Sequence, residues 1–431
     1  MRAMKNSGIE WIGEIPDGWG ISKVSRFYSV ILGKMLSPVK EATDSTLENY
    51  LCAQNIKWDG INTSEIKQMW FSCCEKEKYL LENQDVIVTE GGDIGVSSVY
   101  NGEFFPCYIQ NAVHKVTSRS GNKSENKLFY YWMHLVKNSG YLDLICNKAT
   151  IAHFTKEKLS STPMIVIPSK QQHHIASFLD TKCSLIDTTI EKEREVIDKL
   201  KEYRQAVITE AVTKGIRAGV PMKDSGVEWI GEIPEHWNCV DFRRAVHLKQ
   251  GLQIEQTKRF SDNGDNRFVY ITLKYVNSIK SPEDTEYIEN PDSNVMCDYG
   301  DILFVRTGAT GLIVTNVFGV YHNNFFKIIF DKKLISKRYL IDYLSQKSIQ
   351  AHFNLLAGTT TIPDLNHGDF LSTKVLIPPL PEQQEIADYL DKKCSEIDAT
   401  IQKRELAIEK LTAYKQSLIY ECVTGKKEVL G

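Results

Sequence analysis

QHHIASFLDTKCSLID occupies residues 172–187, and QQEIADYLDKKCSEID occupies residues 383–398. Each phrase opens a run in which apolar residues alternate at spacings of four and three. In the first run Leu179, Cys183, Ile186, Ile190, Glu193, Ile197, Leu200, Arg204, Val207 and Ala211 fall in line. In the second the line is Leu390, Cys394, Ile397, Ile401, Arg404, Ile408, Leu411, Lys415, Leu418 and Cys422. A spacing averaging about 3.5 marks the seam of a coiled coil, and each run is read as a long helix. At ~1.5 Å per residue, the stretch from Leu179 to Ala211 is a rod of roughly 50 Å. Pro168 and Pro381 stand where such helices start. Two like seams in one chain have a high effective concentration for each other, so antiparallel pairing between them is expected. The charged seam residues Glu193, Arg204, Arg404 and Lys415 would then set register, with Glu193 facing a cation of the other copy.

A second phrase is also written twice. Residues 4–19 read MKNSGIEWIGEIPDGW and residues 222–237 read MKDSGVEWIGEIPEHW. The order is therefore phrase, intervening segment, helix, then all three again. Two copies are too few for a solenoid, so this is a duplicated pair of modules. The boundaries expected are a first globular domain over 1–168, a helical spacer over 169–217, a second globular domain over 218–380 and a second spacer over 381–431. Trp11, Ile12, Pro16 and Trp19, with Trp229, Ile230, Pro234 and Trp237, have the apolar rhythm of packing residues. They are expected to seat each globular domain against the helices.

The two intervening segments differ in sequence but share a skeleton. Each has a Gly after a strand-like run, VILGK (30–34) and LKQGLQ (248–253), then an aromatic strand, NYLCAQNIKW (49–58) and FVYITLKYVN (268–277). A β-branched strand then enters a Gly-rich loop, QDVIVTEGGDIG (84–95) and GDILFVRTGATG (300–311). Later come the loops KATIAHF (148–154) and GTTTIPDL (358–365), each followed by a strand ending in Pro. Alternating β-branched runs between turn signals predict mixed α/β domains with a substantial sheet. The fold class is thus α/β (α+β), with two such domains joined by two long antiparallel helices.

Composition adds exclusions. With 42% hydrophobic and 25% charged residues, the chain of 431 residues reads as globular and large enough for two cores. No apolar run approaches the ~18 residues of a membrane helix, and no signal-peptide core follows Met1, so a cytoplasmic location is expected. The ten cysteines are scattered without C-x-x-C or zinc spacing and are read as reduced thiols. The Gly-rich loops match neither G-x-G-x-x-G in its strand–helix setting nor a Walker pattern, and are read as tight turns. The Pro-Pro at 378–379 reads IPPLP, which is not the catalytic tetrapeptide of an adenine methyltransferase. Neither a nuclease cluster nor a nucleophile elbow is evident. No metal site is expected and no catalytic role is assigned to this chain.

The phrase SG-[IV]-EWIGEIP-x-x-W resembles the opening of each half of the specificity subunit of type I restriction-modification systems. The phrase QQ-x-IA-x-[FY]-LD-x-K-C-x-x-ID is similar to that family as well, as are the GDILF-x-R-x-G and GTT-x-I-P loops of the second half. The resemblance spans essentially the whole chain. It implies two target-recognition domains, each reading half of a split sequence in double-stranded DNA. It also implies that the helices dock two methyltransferase subunits, placing Leu179, Ile186, Ile190, Ile197, Ile397, Ile401, Ile408 and Leu411 in a docking platform. S-adenosylmethionine, and ATP with Mg for restriction, would sit on the methyltransferase and restriction/translocase subunits, and this chain would hold no cofactor.

Physical reasoning fits that family. Two readers on one rod can reach half-sites about one turn, ~34 Å, apart. Because the two segments differ in sequence, the target should be asymmetric. Net charge is −3, and Gly20–Pro168 and Asn238–Pro379 each hold 16 Lys+Arg against 15 Asp+Glu, so phosphate attraction by this chain alone should be weak. Major-groove readout favours Arg or Lys on guanine and Asn or Gln on adenine. Loop-placed candidates for base contact are Gln54, Asn55, Lys148 and Thr150 in the first domain and Lys274, Arg306, Thr307, Thr360 and Thr361 in the second, with Arg306 favoured. Glu90 occupies the place of Arg306 in the first domain. The competing reading is a duplicated coiled-coil scaffold that joins proteins and reads no DNA.

Overall fold

The computed structural model describes residues 2–40, 42–146, 152–277, 285–358 and 363–429. Two compact units divide the chain, one of Met1–Glu193 with Leu406–Gly431 and the other of Arg194–Glu405. This cuts across a linear order of domain and spacer, because each unit takes one globular domain, half of one long helix and half of the other.

Each domain holds a four-stranded antiparallel sheet. In the first the order is Ser97–Val99, Val86–Thr89, Val113–Ser118, Tyr28–Leu32. In the second it is Ile313–Thr315, Ile302–Val305, Phe325–Phe330, Val246–Gln250, the same order of equivalent strands. The runs VIVT and ILFV are apolar almost throughout because every residue of Val86–Thr89 and of Ile302–Val305 is buried. A second sheet, of three strands in the first domain and four in the second, carries the aromatic strand, which pairs in parallel with the later strand at matching places, Tyr50 with Tyr108 and Tyr270 with Val320. The strands that end in Pro return to pair with the residues just after the tryptophan phrase, Pro163–Val166 with Gly20–Lys23 and Lys374–Ile377 with Asn238–Asp241.

The glycine that opens each domain is explained by close approach. A Cβ on Gly33 would lie 2.4 Å from the Gln110 carbonyl oxygen, and one on Gly251 would lie 2.2 Å from that of Tyr321. Backbone cannot swing aside as a side chain can, so both positions exclude any larger residue.

The long helices are Ser169–Lys214, of 46 residues, and Leu380–Val423, of 44 residues. Pro168 precedes the first, and its carbonyl accepts from Gln171 N. Pro381 lies inside the first turn of the second, where a missing N–H is harmless. Gly215 and Gly425 follow the two ends with φ of 76° and 73°. The seam is buried at Leu179, Cys183, Ile186, Ile190, Ile197, Val207 and Ala211, and at Leu390, Ile397, Ile401, Leu418 and Cys422. Leu200, Ile408, Leu411 and Cys394 are half-buried, as are the charged seam positions Glu193, Arg204, Arg404 and Lys415.

Within each unit the helices run antiparallel. In the second unit Arg204 meets Asp398 at 3.0 Å and Arg217 meets Glu385 at 2.7 Å, so advance along one helix is retreat along the other. In the first unit Lys415 meets Asp187 at 2.6 Å. Asp187 and Asp398 close the repeated phrase LD-x-K-C-x-x-ID, so the repeat supplies the carboxylate to each helix pair. The earlier aspartate of the same phrase faces the domain instead. Asp180 takes Lys127 at 2.6 Å and the Tyr131 hydroxyl at 2.8 Å, and Asp391 takes Arg338 at the equivalent place.

Where the first domain has Tyr131, the second has Asp342. Burial and the neighbouring Asp391 push its carboxyl up to about 7, against the opposing pull of Arg338 and Arg204. A carboxyl raised in the fold is favoured protonated, so its contribution is fully present below the unfolded value of about 4 and lost as pH rises through about 7. Asp342→Asn keeps the shape without the charge. Thermal denaturation at pH 8 is expected to show a gain of about 2–4 °C for the variant, with no difference at pH 4. An equal effect at both pH values would contradict the assignment.

The tryptophan phrases are packed into each unit. Trp19 and Trp237 are 2% and 0% exposed, Pro16 and Pro234 are buried, Trp11 stacks on Tyr141, and Trp229 stacks on His352. Trp19 Nε1 donates to Gln171 at the start of one long helix, while its ring closes on Gly425 at the end of the other. In the second unit the Trp237 ring lies against Gly215, and it is the neighbouring His236 that meets the helix start, on Glu382 at 2.7 Å. Each phrase thus fills the crook between one helix start and one helix end. None of the ten cysteines is in a disulfide, and among the described residues no helix is long and apolar enough to cross a membrane.

Candidate nucleic-acid interface

Three segments meet at one end of each domain. The first is the Gly-rich turn that follows the buried strand. Gly95 N donates to Thr89 O and Glu90 N to Ala112 O, and in the second domain Gly311 N donates to Val305 O and Arg306 N to Asn324 O. The second segment is the return of the later loop onto that turn. Phe154 N donates to Glu90 O at 2.8 Å, and Leu365 N donates to Arg306 O at 3.0 Å. The third is the helical turn capping the aromatic strand, Ala53–Asn55 and Leu273–Asn277. In the first domain it walls a cleft of about 520 Å³ with Thr89, Gly92 and Asp93 opposite, and in the second Leu273 packs 3.2 Å from the Cβ position of Gly308. Different sequences therefore build one platform twice.

The candidate base-contacting residues divide on this platform. Gln54 is exposed on the helical turn, and Lys274 is exposed at the equivalent place in the second domain. Asn55 is not available to a base. It is 3% exposed, its Oδ1 accepts from Cys52 N at 3.0 Å, and its Nδ2 donates to the carbonyls of Asn62 and Glu65. A turn that leaves a strand needs its backbone groups satisfied, and this asparagine does so from inside. Arg306 is likewise occupied. Its Nη2 donates to Asp364 at 2.7 Å, its Nε to Leu365 O at 3.1 Å, and its guanidinium lies 5.2 Å from the Phe326 ring centroid. Thr307 also donates to Asp364. Arg306 and Thr307 thus staple the Gly-rich turn to the later loop, in place of the outward reach expected of them. Lys148, Thr150, Thr360 and Thr361 lie outside the described residues.

Asp364 and Phe326 were not singled out by the sequence, although the Asp beyond the Pro in TTTIPDL was the available signal. In the first domain Glu90 replaces Arg306, and burial raises its carboxyl while His153 opposes the shift. His114 replaces Phe326 on the equivalent strand. Burial lowers its pKa to about 4, so the ring is neutral and its Nε2 donates to Phe154 O at 2.8 Å. His114 and Arg306 both serve loop closure.

Part of the charge on the domains is spent in internal ion pairs. Arg259 pairs with Glu286, Arg267 with Asp262 and Glu289, Lys327 with Asp301, Lys34 with Glu75, and Lys76 with Glu48.

Comparison with known proteins agrees with this architecture. The family described as type I restriction modification DNA specificity domain matches twice, over residues 55–202 and 241–410. The chain is 23% identical to the type I restriction enzyme MjaVIII specificity subunit of Methanocaldococcus jannaschii, covering 96% of this chain and 94% of that protein. It is 22% identical to the EcoKI specificity subunit of Escherichia coli K12, covering 96% and 90%. Among solved structures, one from work on assembly and conformational transition of the type I R-M system matches with a TM-score of 0.71 at 13% identity, over 96% of this chain and 99% of that one. The HsdS subunit of Thermoanaerobacter tengcongensis matches with a TM-score of 0.52 at 12% identity, over 96% and 98%. With both of its halves matched, the chain belongs to the type I restriction-modification DNA specificity family.

Proposed function

We propose that this chain is the non-catalytic reader of a type I restriction-modification complex, each domain contacting one half of an asymmetric, bipartite duplex site. One observation carries the reading. The two platforms are held by equivalent hydrogen bonds yet differ in what they turn outward, Gln54 in one and Lys274 in the other. A shared frame with exchanged outward chemistry suits two readers of different sequence. Glutamine pairs with adenine N6 and N7, and lysine with guanine O6 and N7.

The helices dock two methyltransferase subunits, through which restriction/translocase subunits join. Bond chemistry, with S-adenosylmethionine and with ATP and Mg, belongs to those subunits. The family comparisons and the internal repeat support this division of labour.

The test is selection of bound duplexes from a random pool by the complex reconstituted with its methyltransferase subunits. Wild type is expected to enrich one asymmetric bipartite sequence. Gln54→Ala should relax one base of one half by about tenfold or more, and Lys274→Ala one base of the other half. Enrichment of a palindrome, or of nothing, would sink the proposed function. An unchanged sequence for both variants would move base reading off the helical turn.

A further inference from the structure

We propose that Arg306 and Asp364 are a positioning pair for the second reader, which touches no base itself and holds Lys274 in place to meet one. This deepens the DNA-reading function proposed above and rests on it. The Gly-rich turn and the later loop run antiparallel where Thr307 faces Asp364. On one side of that bridge Leu365 N donates to Arg306 O at 3.0 Å, and on the other Gly308 N donates to Pro363 O at 3.3 Å. Side chains lock the same crossing. One carboxylate oxygen of Asp364 accepts from Arg306 Nη2 and the other from the Thr307 hydroxyl, while Arg306 Nε donates to Leu365 O. The Arg306 side chain is only 14% exposed, which suits a clamp better than a probe.

The crossing reaches Lys274 through one packed contact. A Cβ on Gly308 would lie 3.2 Å from Leu273 Cδ1, so the turn next to the staple presses on the residue just before Lys274. Leu273 opens the helix Leu273–Asn277 that carries the lysine. A helix of five residues has too few internal bonds to fix its own pose, so the pose is set by what it packs against. A side chain that reads a base must be held to about 0.5 Å. Release of Gly308 from the later loop therefore loosens Lys274.

The first domain keeps the backbone frame without this staple. Glu90, Gly91 and His153 stand at the places of Arg306, Thr307 and Asp364, and Phe154 N still donates to Glu90 O. Gly91 has no hydroxyl to give, and Glu90 has no guanidinium. The pair thus belongs to the second domain, and its loss should be felt in one half of the target.

The experiment uses the full chain reconstituted with its methyltransferase subunits and selects duplexes from a random pool. Arg306→Ala and Asp364→Ala should each relax the base read by Lys274 by about tenfold or more, as Lys274→Ala does, with the other half-site selected as in wild type. The double variant Arg306→Ala/Lys274→Ala should be no worse than Lys274→Ala, because the pair acts through that lysine. Asp364→Asn keeps the shape, guards against a variant that fails to fold, and should show the same loss to a smaller extent. An Arg306 that itself read a base would be freed by Asp364→Ala, so intact or sharpened selection in that variant overturns the proposal. Loss of a second base in the double variant overturns it too. Loss of both half-sites together, or of assembly without DNA, would make the pair a general stabiliser and likewise overturns it, as does a Lys274→Ala complex that selects as wild type. If the wild-type complex enriches no sequence, the DNA-reading function itself has failed, a result distinct from any of these variant outcomes.

Discussion

Trp237→Ala and Trp19→Ala are expected to destabilise the chain severely, by about 3–5 kcal/mol each. Both indoles are essentially buried. Each closes on the glycine that ends a long helix, Gly215 at 3.3 Å and Gly425 at 2.8 Å from the Cβ position. Truncation opens a large cavity where a helix end, a helix start and a domain meet, and three elements cannot all collapse into it. The phenylalanine variants separate the two sites. Trp19 Nε1 donates to Gln171 Oε1 at 2.9 Å, whereas Trp237 Nε1 is buried without a partner among the described residues. Trp19→Phe should therefore cost about 1 kcal/mol more than Trp237→Phe. Chemical denaturation of the four variants checks both statements. Alanine variants within about 1 kcal/mol of wild type would remove the phrase from the joint.

The second large effect concerns DNA affinity. Isolated, this chain is expected to bind its target only in the non-specific range, with Kd of about 10⁻⁴–10⁻⁶ M at physiological salt. With its methyltransferase subunits, binding should tighten to the specific range of about 10⁻⁸ M or below, a gain of at least about 100-fold. The reason is the balance of 16 cations against 15 anions in each domain, together with the pairing of Arg259, Arg267, Lys327, Lys34 and Lys76 to carboxylates. Few phosphates can be neutralised, so the isolated chain should also have a shallow salt dependence. Fluorescence anisotropy across a salt series measures both. Tight, site-specific binding by the chain alone at moderate salt would contradict the account.

Features written in local periodicity are legible in the sequence itself. The 3.5 spacing marks the two long helices, and the duplicated phrases mark the internal repeat. The division of labour on the platform is not legible in that way. Arg306 beside a glycine turn looks like a free guanidinium until Asp364, 58 residues later, is brought against it. Asn55 looks like a loop amide until the Asn62 and Glu65 carbonyls fold round it. Local pattern says which side chains have donors to offer, and only tertiary closure says which donors are already taken. The repeat itself holds more than its periodicity discloses. Its two aspartates have separate tasks, Asp180 and Asp391 toward the domain and Asp187 and Asp398 toward the opposite helix.

The central claim is that two different readers act on one split site. Single-molecule methylation sequencing of cells with and without this chain, in the presence of its methyltransferase, tests it most directly. The account predicts one new adenine-methylated motif, bipartite and asymmetric, that appears with the chain and disappears without it. A palindromic motif, a continuous one, or no new methylation would contradict it.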